Sequence, residues 1–274
     1  MRKMHLVILI SSFALLFCQR PLEEETENQF VEMARYDASE ARQGVAVDEK
    51  YFYAIGTREI GKYEKATGKR VAKWQEKEDG SIIHLDSGVI VDGKLYCAHS
   101  NYPGIPMTSS VEIWDAGTLQ HIDSHSFGVR WGSCTWVDRH DGHWWAAFAH
   151  YDKLKAKGLT DKGTEWTTLV KFDDQWQPLK TWHYPDQVIE RFRPMSNSGG
   201  SWGPGGLLYA TGHDRAELYA LRPPRACSVL KLVAILPIGI RGQGIAWDRS
   251  DPGVLYGIDK DKREIIVFKY HPKK

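Results

Sequence analysis

The chain contains 274 residues and has a formal net charge of +1 at pH 7, so its bulk charge gives no electrostatic basis for binding nucleic acid. A hydrophobic content of 42% and a charged content of 26% are ordinary for a folded globular protein and exclude a disordered chain. The length suits one or two domains.

The first 18 residues are predicted to be an export signal. The basic start MRKMH is followed by the apolar run LVILISSFALLF and then by Cys18, an order typical of a secretory signal peptide. The segment before Cys18 is similar to a bacterial lipobox, although Phe17 stands where a small residue is usual. Lipidation of Cys18, plain secretion and an uncleaved anchor therefore stay open. Residues 19–27 are predicted to be an acidic tether, which places the protein in the periplasm or at the cell surface, on the outer membrane if Cys18 is lipidated.

Three further cysteines, Cys97, Cys134 and Cys227, show no spacing that resembles a metal knuckle or a redox pair. They are interpreted as small core or surface residues, and a bridge between Cys97 and Cys134 stays open.

A repeated phrase organises the rest of the chain. RQGVAVD begins at Arg42 and RGQGIAWD begins at Arg241, and similar apolar phrases start at intermediate glycines. The five phrases are spaced 44, 44, 67 and 45 residues apart and begin at Gly44, Gly88, Gly132, Gly199 and Gly244. Such a regular period indicates a repeat architecture.

Each repeat contains four short apolar runs that are rich in β-branched and aromatic residues and are separated by turn residues such as DGK, TGK and SDPG. Four strands in about 45 residues are the signature of a β-propeller blade. The last repeat lacks its fourth strand, and NQFVEMARYD at residues 28–37 is predicted to supply it. The sequence thus predicts an all-β, five-bladed β-propeller at residues 28–274, with the N-terminal strand closing the last blade.

The two faces of this disc should differ. The turns between the first and second strands of each blade, and between the third and fourth, are short. The aspartates in these turns are expected to accept hydrogen bonds from their own backbone: Asp48, Asp92, Asp138 and Asp248. The remaining connections emerge on the other face and include four long segments, at residues 75–87, 99–110, 150–166 and 184–199. Because binding residues are usually carried by long loops on a rigid scaffold, the site is predicted on this face, at the mouth of the central channel.

Four histidines fall at matching places on the long-loop face: His84, His99, His150 and His213. Three interpretations stay open. All four could bind a divalent metal, because neutral imidazole is a common metal ligand. His99, His150 and His213 could act as catalytic acids or bases. They could also simply hydrogen-bond the loops.

Further candidates for substrate binding lie on the same face. Guanidinium groups match carboxylates or phosphates, and amide and aromatic side chains can orient a ligand or stack on a sugar ring. These candidates are Arg42, Arg58, Arg130, Arg241, Gln43, Gln243, Asn101 and Trp131. Trp136, Trp202 and Trp247 lie inside first strands and are predicted to pack between blades.

The phrases QGVAVDEKYFYAIG, IGKYEKATGKRVAKW, HLDSGVIVDGKLYCAHSNYP and GQGIAWDRSDPGVLYGI resemble bacterial exported β-propeller proteins that carry the label cycloisomerase-like. The resemblance covers nearly all of the chain after residue 27 and implies isomerase chemistry on small diacids. The set of histidines and glutamines is also similar in kind to the metal cluster of propeller-type oligogalacturonate lyases.

Two hypotheses on function follow. In the first, the protein is an exported isomerase- or lyase-type enzyme that processes a small anionic, sugar-derived substrate, with a divalent metal as its cofactor if the histidines bind one. In the second, it is a non-catalytic surface lipoprotein that binds glycans or another protein. Neither hypothesis involves nucleic acid, and each involves the membrane only through the N-terminal anchor.

Overall fold

The computed structural model describes residues 29–272, which form a β-propeller of five antiparallel four-stranded blades. The predictions for the signal peptide at 1–18, for Cys18 and for the tether at 19–27 lie outside the described residues. Between residues 29 and 272, no helix has the length and apolar character needed to span a membrane.

The strands follow the predicted repeat. The N-terminal strand is β1 (Phe30–Asp37). Blade 1 contains β2 (Gly44–Val47), β3 (Tyr51–Ile55), β4 (Glu59–Glu64) and β5 (Arg70–Gln75). Blade 2 contains β6 (Leu85–Val91), β7 (Lys94–Ser100), β8 (Ser109–Asp115) and β9 (His121–Gly128). Blade 3 contains β10 (Ser133–His140), β11 (His143–Ala149), β12 (Thr168–Phe172) and β13 (Pro178–His183). Blade 4 contains β14 (Gly199–Gly203), β15 (Leu207–Thr211), β16 (Glu217–Arg222) and β17 (Lys231–Pro237). Blade 5 contains β18 (Ala246–Trp247), β19 (Val254–Asp259) and β20 (Glu264–Tyr270).

Strand β1 completes blade 5 by pairing antiparallel with β20, in a register that runs from Phe30 opposite Tyr270 to Asp37 opposite Glu264. The backbone N–H of His271 also donates to the carbonyl of Gln29 at 2.8 Å. The prediction that the N-terminal strand closes the last blade is therefore confirmed. The ladder joins the two ends of the chain and covers the outer edge of β20, which would otherwise be unpaired.

Apolar side chains hold neighbouring blades together. The innermost strands of successive blades contact one another around the ring, and β18 contacts β2 to complete the circle. Five of the hydrophobic clusters each lie between two adjacent blades. Trp136 and Trp202 lie in the cluster between blades 3 and 4, and Trp247 lies in the cluster between blades 4 and 5, as predicted. A sixth, smaller cluster lies under the long-loop face.

The repeated glycines allow the first and last phrases to meet at the axis. A Cβ atom on Gly244 would lie 2.6 Å from the Cα of Gly44, and one on Gly44 would lie 2.8 Å from the Cα of Ser87. Real Cβ contacts are not this short, so only glycine permits these backbones to touch. The similarity of RQGVAVD and RGQGIAWD thus reflects two adjacent inner strands packed Cα to Cα.

The aspartates of the short turns take two roles. Asp48 accepts backbone N–H groups of Lys50 and Tyr51 at 2.8 and 2.7 Å, and Asp248 accepts that of Ser250 at 2.9 Å, as predicted for turn residues. Asp138 accepts the backbone N–H of the neighbouring Arg139 at 2.7 Å and also reaches the next blade, where it accepts the backbone N–H of Trp202 at 2.8 Å. This carboxylate therefore links blades 3 and 4.

Two short helices were not predicted. Helix α1 (Asp152–Ala156) lies in the connection between β11 and β12, and α2 (Asp186–Phe192) lies between blades 3 and 4. The buried side chains of α2 join the cluster between those blades. The thiols of Cys97, Cys134 and Cys227 are free, so the bridge left open between Cys97 and Cys134 is not formed.

Candidate functional site

The central channel offers little space. Its open part is lined by innermost-strand residues such as Val47, Val137 and Ser201, and the space available to a water-sized sphere is about 10 Å³. A single water molecule needs roughly this volume. On the long-loop side the backbones of Gly44 and Gly244 approach each other closely. The sequence predicts the site at the channel mouth, but a larger cavity lies elsewhere on the same face.

The space lies off the axis, in a groove over blades 2 and 3 that we call the long-loop groove. Its cavity volume is about 170 Å³, smaller than the roughly 300–1,000 Å³ of most small-molecule sites, and it is open to solvent. The lining residues come from three connections and are Ile105, Pro106, Met107, Val129, Gly132, His150, Tyr151, Leu154, Thr160 and Lys162. Most are apolar, so the groove suits the apolar part of a ligand.

His150 is the groove residue with the clearest chemical capability. Its Nε2–H donates to the backbone carbonyl of Trp131 at 3.0 Å, and this contact selects the neutral tautomer in which Nδ1 has a lone pair. Partial burial, together with the charge of Lys162, lowers the pKa of His150. The imidazole is therefore neutral near pH 7, as a general base or a hydrogen-bond acceptor must be.

Lys162 supplies the positive charge of the groove. Among the described lining residues it alone carries a permanent charge, and none of the described carboxylates lies within ion-pair distance of it. Its Nζ lies 5.4 Å from the ring centroid of Trp166, a cation–π contact that holds the ammonium beside the groove. An anionic ligand group would find a partner here.

Behind the groove, aromatic side chains lead from His150 to a buried carboxyl. Tyr151 lines the groove and packs against Tyr102, with ring centroids 4.8 Å apart. Tyr102 in turn packs on His84, whose ring centroid is 5.2 Å away. His84 Nε2 lies 3.7 Å from Oδ2 of Asp86. Burial, and then the nearby His99, lower the pKa of His84 to about 4.

Asp86 is a buried carboxyl group, and its Oδ2 has no hydrogen-bond partner among the described residues. Burial raises the pKa of Asp86 well above its usual range, because the charged form loses its hydration. The aspartate lies near the start of β6, close enough to Tyr102 and Tyr151 for its charge to raise the pKa of both hydroxyls. It is therefore a buried polar group next to the aromatic rings of Tyr102 and Tyr151.

His99, a predicted catalytic and metal-binding residue, has both ring nitrogens in use. Nε2 accepts the backbone N–H of Ile83 at 3.1 Å, and Nδ1–H donates to Ser110 Oγ at 2.8 Å. Ser110 in turn donates to the buried carboxylate of Glu112 at 2.6 Å. Burial lowers the pKa of His99. The ring thus holds the connection before blade 2 in place and has no nitrogen left for a metal or a substrate.

His213 lies on blade 4, away from the groove. Its Nδ1–H donates to Asp214 at 2.6 Å, and Lys260 Nζ lies 3.5 Å from its Nε2. The structure therefore brings His84 and His99 together on blade 2. The rings of Tyr102 and Tyr151 separate these two histidines from His150. His213 does not lie at the same site. Within residues 29–272, no group of three or more His, Cys, Asp or Glu side chains is arranged to hold a metal ion.

The other predicted binding residues are spread over the long-loop face. Arg58 donates to the carbonyls of Lys77 and Glu78, and Asn101 bonds the backbone of Pro106 and Thr108, so both brace loops.

Arg130 lies over the ring of Trp131, 4.6 Å from the centroid, beside the groove residue Val129. Trp131 itself stacks on Phe148, and its carbonyl holds His150.

Gln43 and Gln243 lie next to the axis, where Gln243 is buried and the carbonyl of Gln43 accepts the N–H of Gly244 at 2.8 Å. Arg42 and Arg241 are exposed near blade 5.

The sequence alone did not point to Lys162 or Asp86. One sequence feature did indicate the groove: apolar residues such as Ile105 and Leu159 interrupt long loops that are otherwise polar. In the structure both side chains are substantially exposed. Exposed apolar residues on a loop face are typical of a binding surface. Asp86 gave no signal, because its burial depends on packing against blade 3.

Comparison with solved structures supports the fold. The PQQ-bound aldose sugar dehydrogenase of Streptomyces coelicolor superposes with a TM-score of 0.55 at 10% sequence identity, covering 89% of this chain and 99% of that chain. The WD40 repeats of RRP9 match with a TM-score of 0.46 at 11% identity, covering 83% and 79%. A chain of the mitotic checkpoint complex also matches with a TM-score of 0.46, at 9% identity, covering 98% and 100%. At such identity the first similarity shows the β-propeller fold alone.

No protein-family model and no curated protein matches this sequence. The resemblance to cycloisomerase-like proteins therefore has no support beyond the propeller fold.

Proposed function

We propose that the protein binds a small anion with an apolar body in the long-loop groove. The observation that carries the proposal is a single unpaired ammonium group, that of Lys162, at the edge of a predominantly apolar groove. A carboxylate on the ligand would pair with Lys162. The aliphatic side chains of Ile105, Met107 and Leu154 would cover its hydrocarbon part. The many hydroxyl groups of an unmodified sugar would find few partners on this wall.

Calorimetric titration of the full-length protein can test this assignment. Octanoate is the probe, and octanol of the same chain length is the neutral reference. Lys162→Ala should weaken octanoate binding by about tenfold, because a charge-assisted hydrogen bond is lost, and should leave octanol binding unchanged. Lys157→Ala is the matched control, since Lys157 is an exposed lysine of the same connection that does not line the groove. The proposal is rejected if octanoate does not bind or if the two variants weaken it equally.

His150 favours a second candidate, an isomerase- or lyase-type enzyme that moves a proton on the bound anion. The neutral imidazole with a lone pair on Nδ1 could remove a proton from a carbon next to the ligand's carboxylate, whose charge Lys162 would offset. Proton NMR in D₂O with 3-hexenoate would detect this step as deuterium incorporation at carbon. Incorporation should vanish in His150→Gln. If wild-type protein binds 3-hexenoate but exchanges no carbon-bound hydrogen, this candidate is rejected and the binding function stands.

A further inference from the structure

Four cationic side chains lie on the long-loop face around blade 5, away from the groove over blades 2 and 3. Arg241 lies in the connection that leads into blade 5, and Lys260 and Arg263 belong to the turn between β19 and β20. Arg42 lies in the connection that leaves β1 for blade 1. We call these four residues the blade-5 rim.

Backbone contacts place the three segments of the rim side by side. The N–H of Ala38, at the start of the segment that carries Arg42, donates to the carbonyl of Arg263 at 2.8 Å. On the other side, Lys260 Nζ lies 3.4 Å from the carbonyl oxygen of His213. A Cβ atom on Gly242, next to Arg241, would lie 2.6 Å from the carbonyl carbon of the same His213. The turn of blade 5 therefore lies between Arg42 and Arg241 and joins them into one cationic surface.

This surface is not neutralised by the protein. In the described part of the chain, none of the four cations has a carboxylate within 4 Å, whereas Arg35, Arg70 and Arg249 each form an ion pair. The nearest acidic influence on Lys260 comes from Asp214 and Asp261, and Asp214 already accepts the Nδ1–H of His213. The rim thus contains four cations without an ion-pair partner among the described residues, beside the more distant carboxylates of Asp214, Asp261 and Glu59.

The pKa values of two rim residues, Lys260 and Arg263, are lowered. Half-burial, together with the charge of Arg241, lowers the pKa of Lys260, against the opposing effect of the two aspartates. Burial and the charge of Arg42 lower the pKa of Arg263. Burial, with a smaller effect from a neighbouring arginine, therefore disfavours the charge of Lys260 and Arg263, and a bound anion would relieve that cost.

We propose that the blade-5 rim is an anion site for a phosphate-type oxyanion, either free or as part of a lipid headgroup. Two exposed guanidinium groups flanking an ammonium group can bind several oxygens of one phosphate, because the guanidinium presents paired N–H donors. The site is independent of the long-loop groove, because its residues belong to connections on the opposite side of the ring from blades 2 and 3.

Titration of the full-length protein with inorganic phosphate at low ionic strength tests the site, because salt screens exposed charges. The double variant Arg42→Gln/Arg241→Gln should weaken saturable phosphate binding by about tenfold or more. The control Arg222→Gln/Arg225→Gln removes the same charge from exposed residues on the face of the short turns and should retain binding. Absence of saturable binding by the wild type, or equal weakening in both double variants, would overturn the proposal.

A second arm identifies the source of the phosphate. Sedimentation with phosphatidylcholine vesicles, with and without phosphatidylglycerol, is compared for the same proteins. Binding to the anionic vesicles that is lost only in the Arg42→Gln/Arg241→Gln variant assigns the rim to a lipid headgroup. Saturable phosphate binding without vesicle binding assigns it to a free phosphate compound.

Discussion

His99 and His150 stand at equivalent places in successive blades, at the end of the second strand, yet their rings have opposite hydrogen-bond patterns. A backbone N–H of Ile83 points at Nε2 of His99, whereas a backbone carbonyl of Trp131 accepts from Nε2 of His150. Each partner comes from the loop that precedes the blade. The loop therefore decides which histidine is a structural hydrogen-bond bridge and which keeps a lone pair for chemistry.

His84 makes stability depend on pH in a definite direction. Its pKa is lowered to about 4 in the folded protein, while the unfolded chain binds a proton near the ordinary value of 6.5. As the pH falls from about 6.5 to about 4, the unfolded state takes up the proton first, so the free energy of unfolding decreases. His84→Gln removes this term and should reduce the loss between pH 7 and pH 4.5 by roughly 2 kcal/mol.

Urea unfolding at the two pH values provides the measurement, with the exposed His183 substituted by Gln as the control. His99 acts in the same direction as His84, because its pKa is also lowered. Asp86 acts in the opposite direction, because its pKa is raised and its contribution is lost as the pH rises. Both groups remain in every variant, so the difference between the two variants reports on His84 and its coupling to these neighbours. An equal loss of stability in the two variants would show that His84 is not the responsible group.

Only part of the candidate site can be predicted from residues taken one at a time. Loop length and residue type predict the long-loop face and His150, and the groove contains that histidine. The four histidines do not converge at the axis as expected, because His213 belongs to a blade on another side of the ring. Lys162 and Asp86 acquire their environment from segments distant in sequence, and no local pattern marks such an environment.

Among the elements, the strands were far more predictable than the helices. Strands β2 to β20 alternate with short turns and carry the β-branched and aromatic residues that favour a pleated surface. Three of the four spacings between repeats agree within one residue, and this regularity predicts five blades. Helices α1 and α2 span five and seven residues, too short for a helical period to emerge above the loop sequence.

Strand β1 is attached by its backbone ladder and by side chains, of which Phe30 is the one that is buried. Phe30 is only 2% exposed, and its ring centroid lies 5.0 Å from that of Tyr270 and 6.1 Å from that of Trp247. The next residue, Val31, is 54% exposed. We therefore expect Phe30→Ala to lower the free energy of unfolding by about 3 kcal/mol, as for other buried aromatic residues.

Val31→Ala, on the same strand, should change the free energy by less than about 0.5 kcal/mol. Denaturant titration monitored by circular dichroism measures both values. Similar losses in the two variants would mean that Phe30 does not anchor the closing strand.

At the level of the whole ring, closure depends on one blade that is built from both ends of the chain. In blade 5, β1 comes from the N-terminal side and the other three strands come from the C-terminal side. Opening the ring at this seam would break the complete ladder between β1 and β20, and would also separate blade 5 from blade 1. A ring whose ends met between two complete blades would be held there by side-chain packing alone.

Two circular permutants can separate these modes of closure. Because Phe30 lies opposite Tyr270, a short linker can join residue 272 to residue 29 in both. The first permutant opens between Ala226 and Cys227, in the connection between β16 and β17, so that blade 4 becomes the shared blade. The second opens between Gly128 and Val129, in the connection between blades 2 and 3, so that every blade is continuous.

The first permutant should unfold in a single transition with a midpoint close to that of the parent protein, because a strand ladder still joins its two ends. The second should unfold at a lower denaturant concentration and over a broader range, since its seam can open without breaking any strand pairing. The difference does not depend on the linker, which both proteins share. Equal midpoints and equal steepness in the two permutants would show that packing between blades is sufficient to close the ring, and that the shared blade adds nothing to its stability.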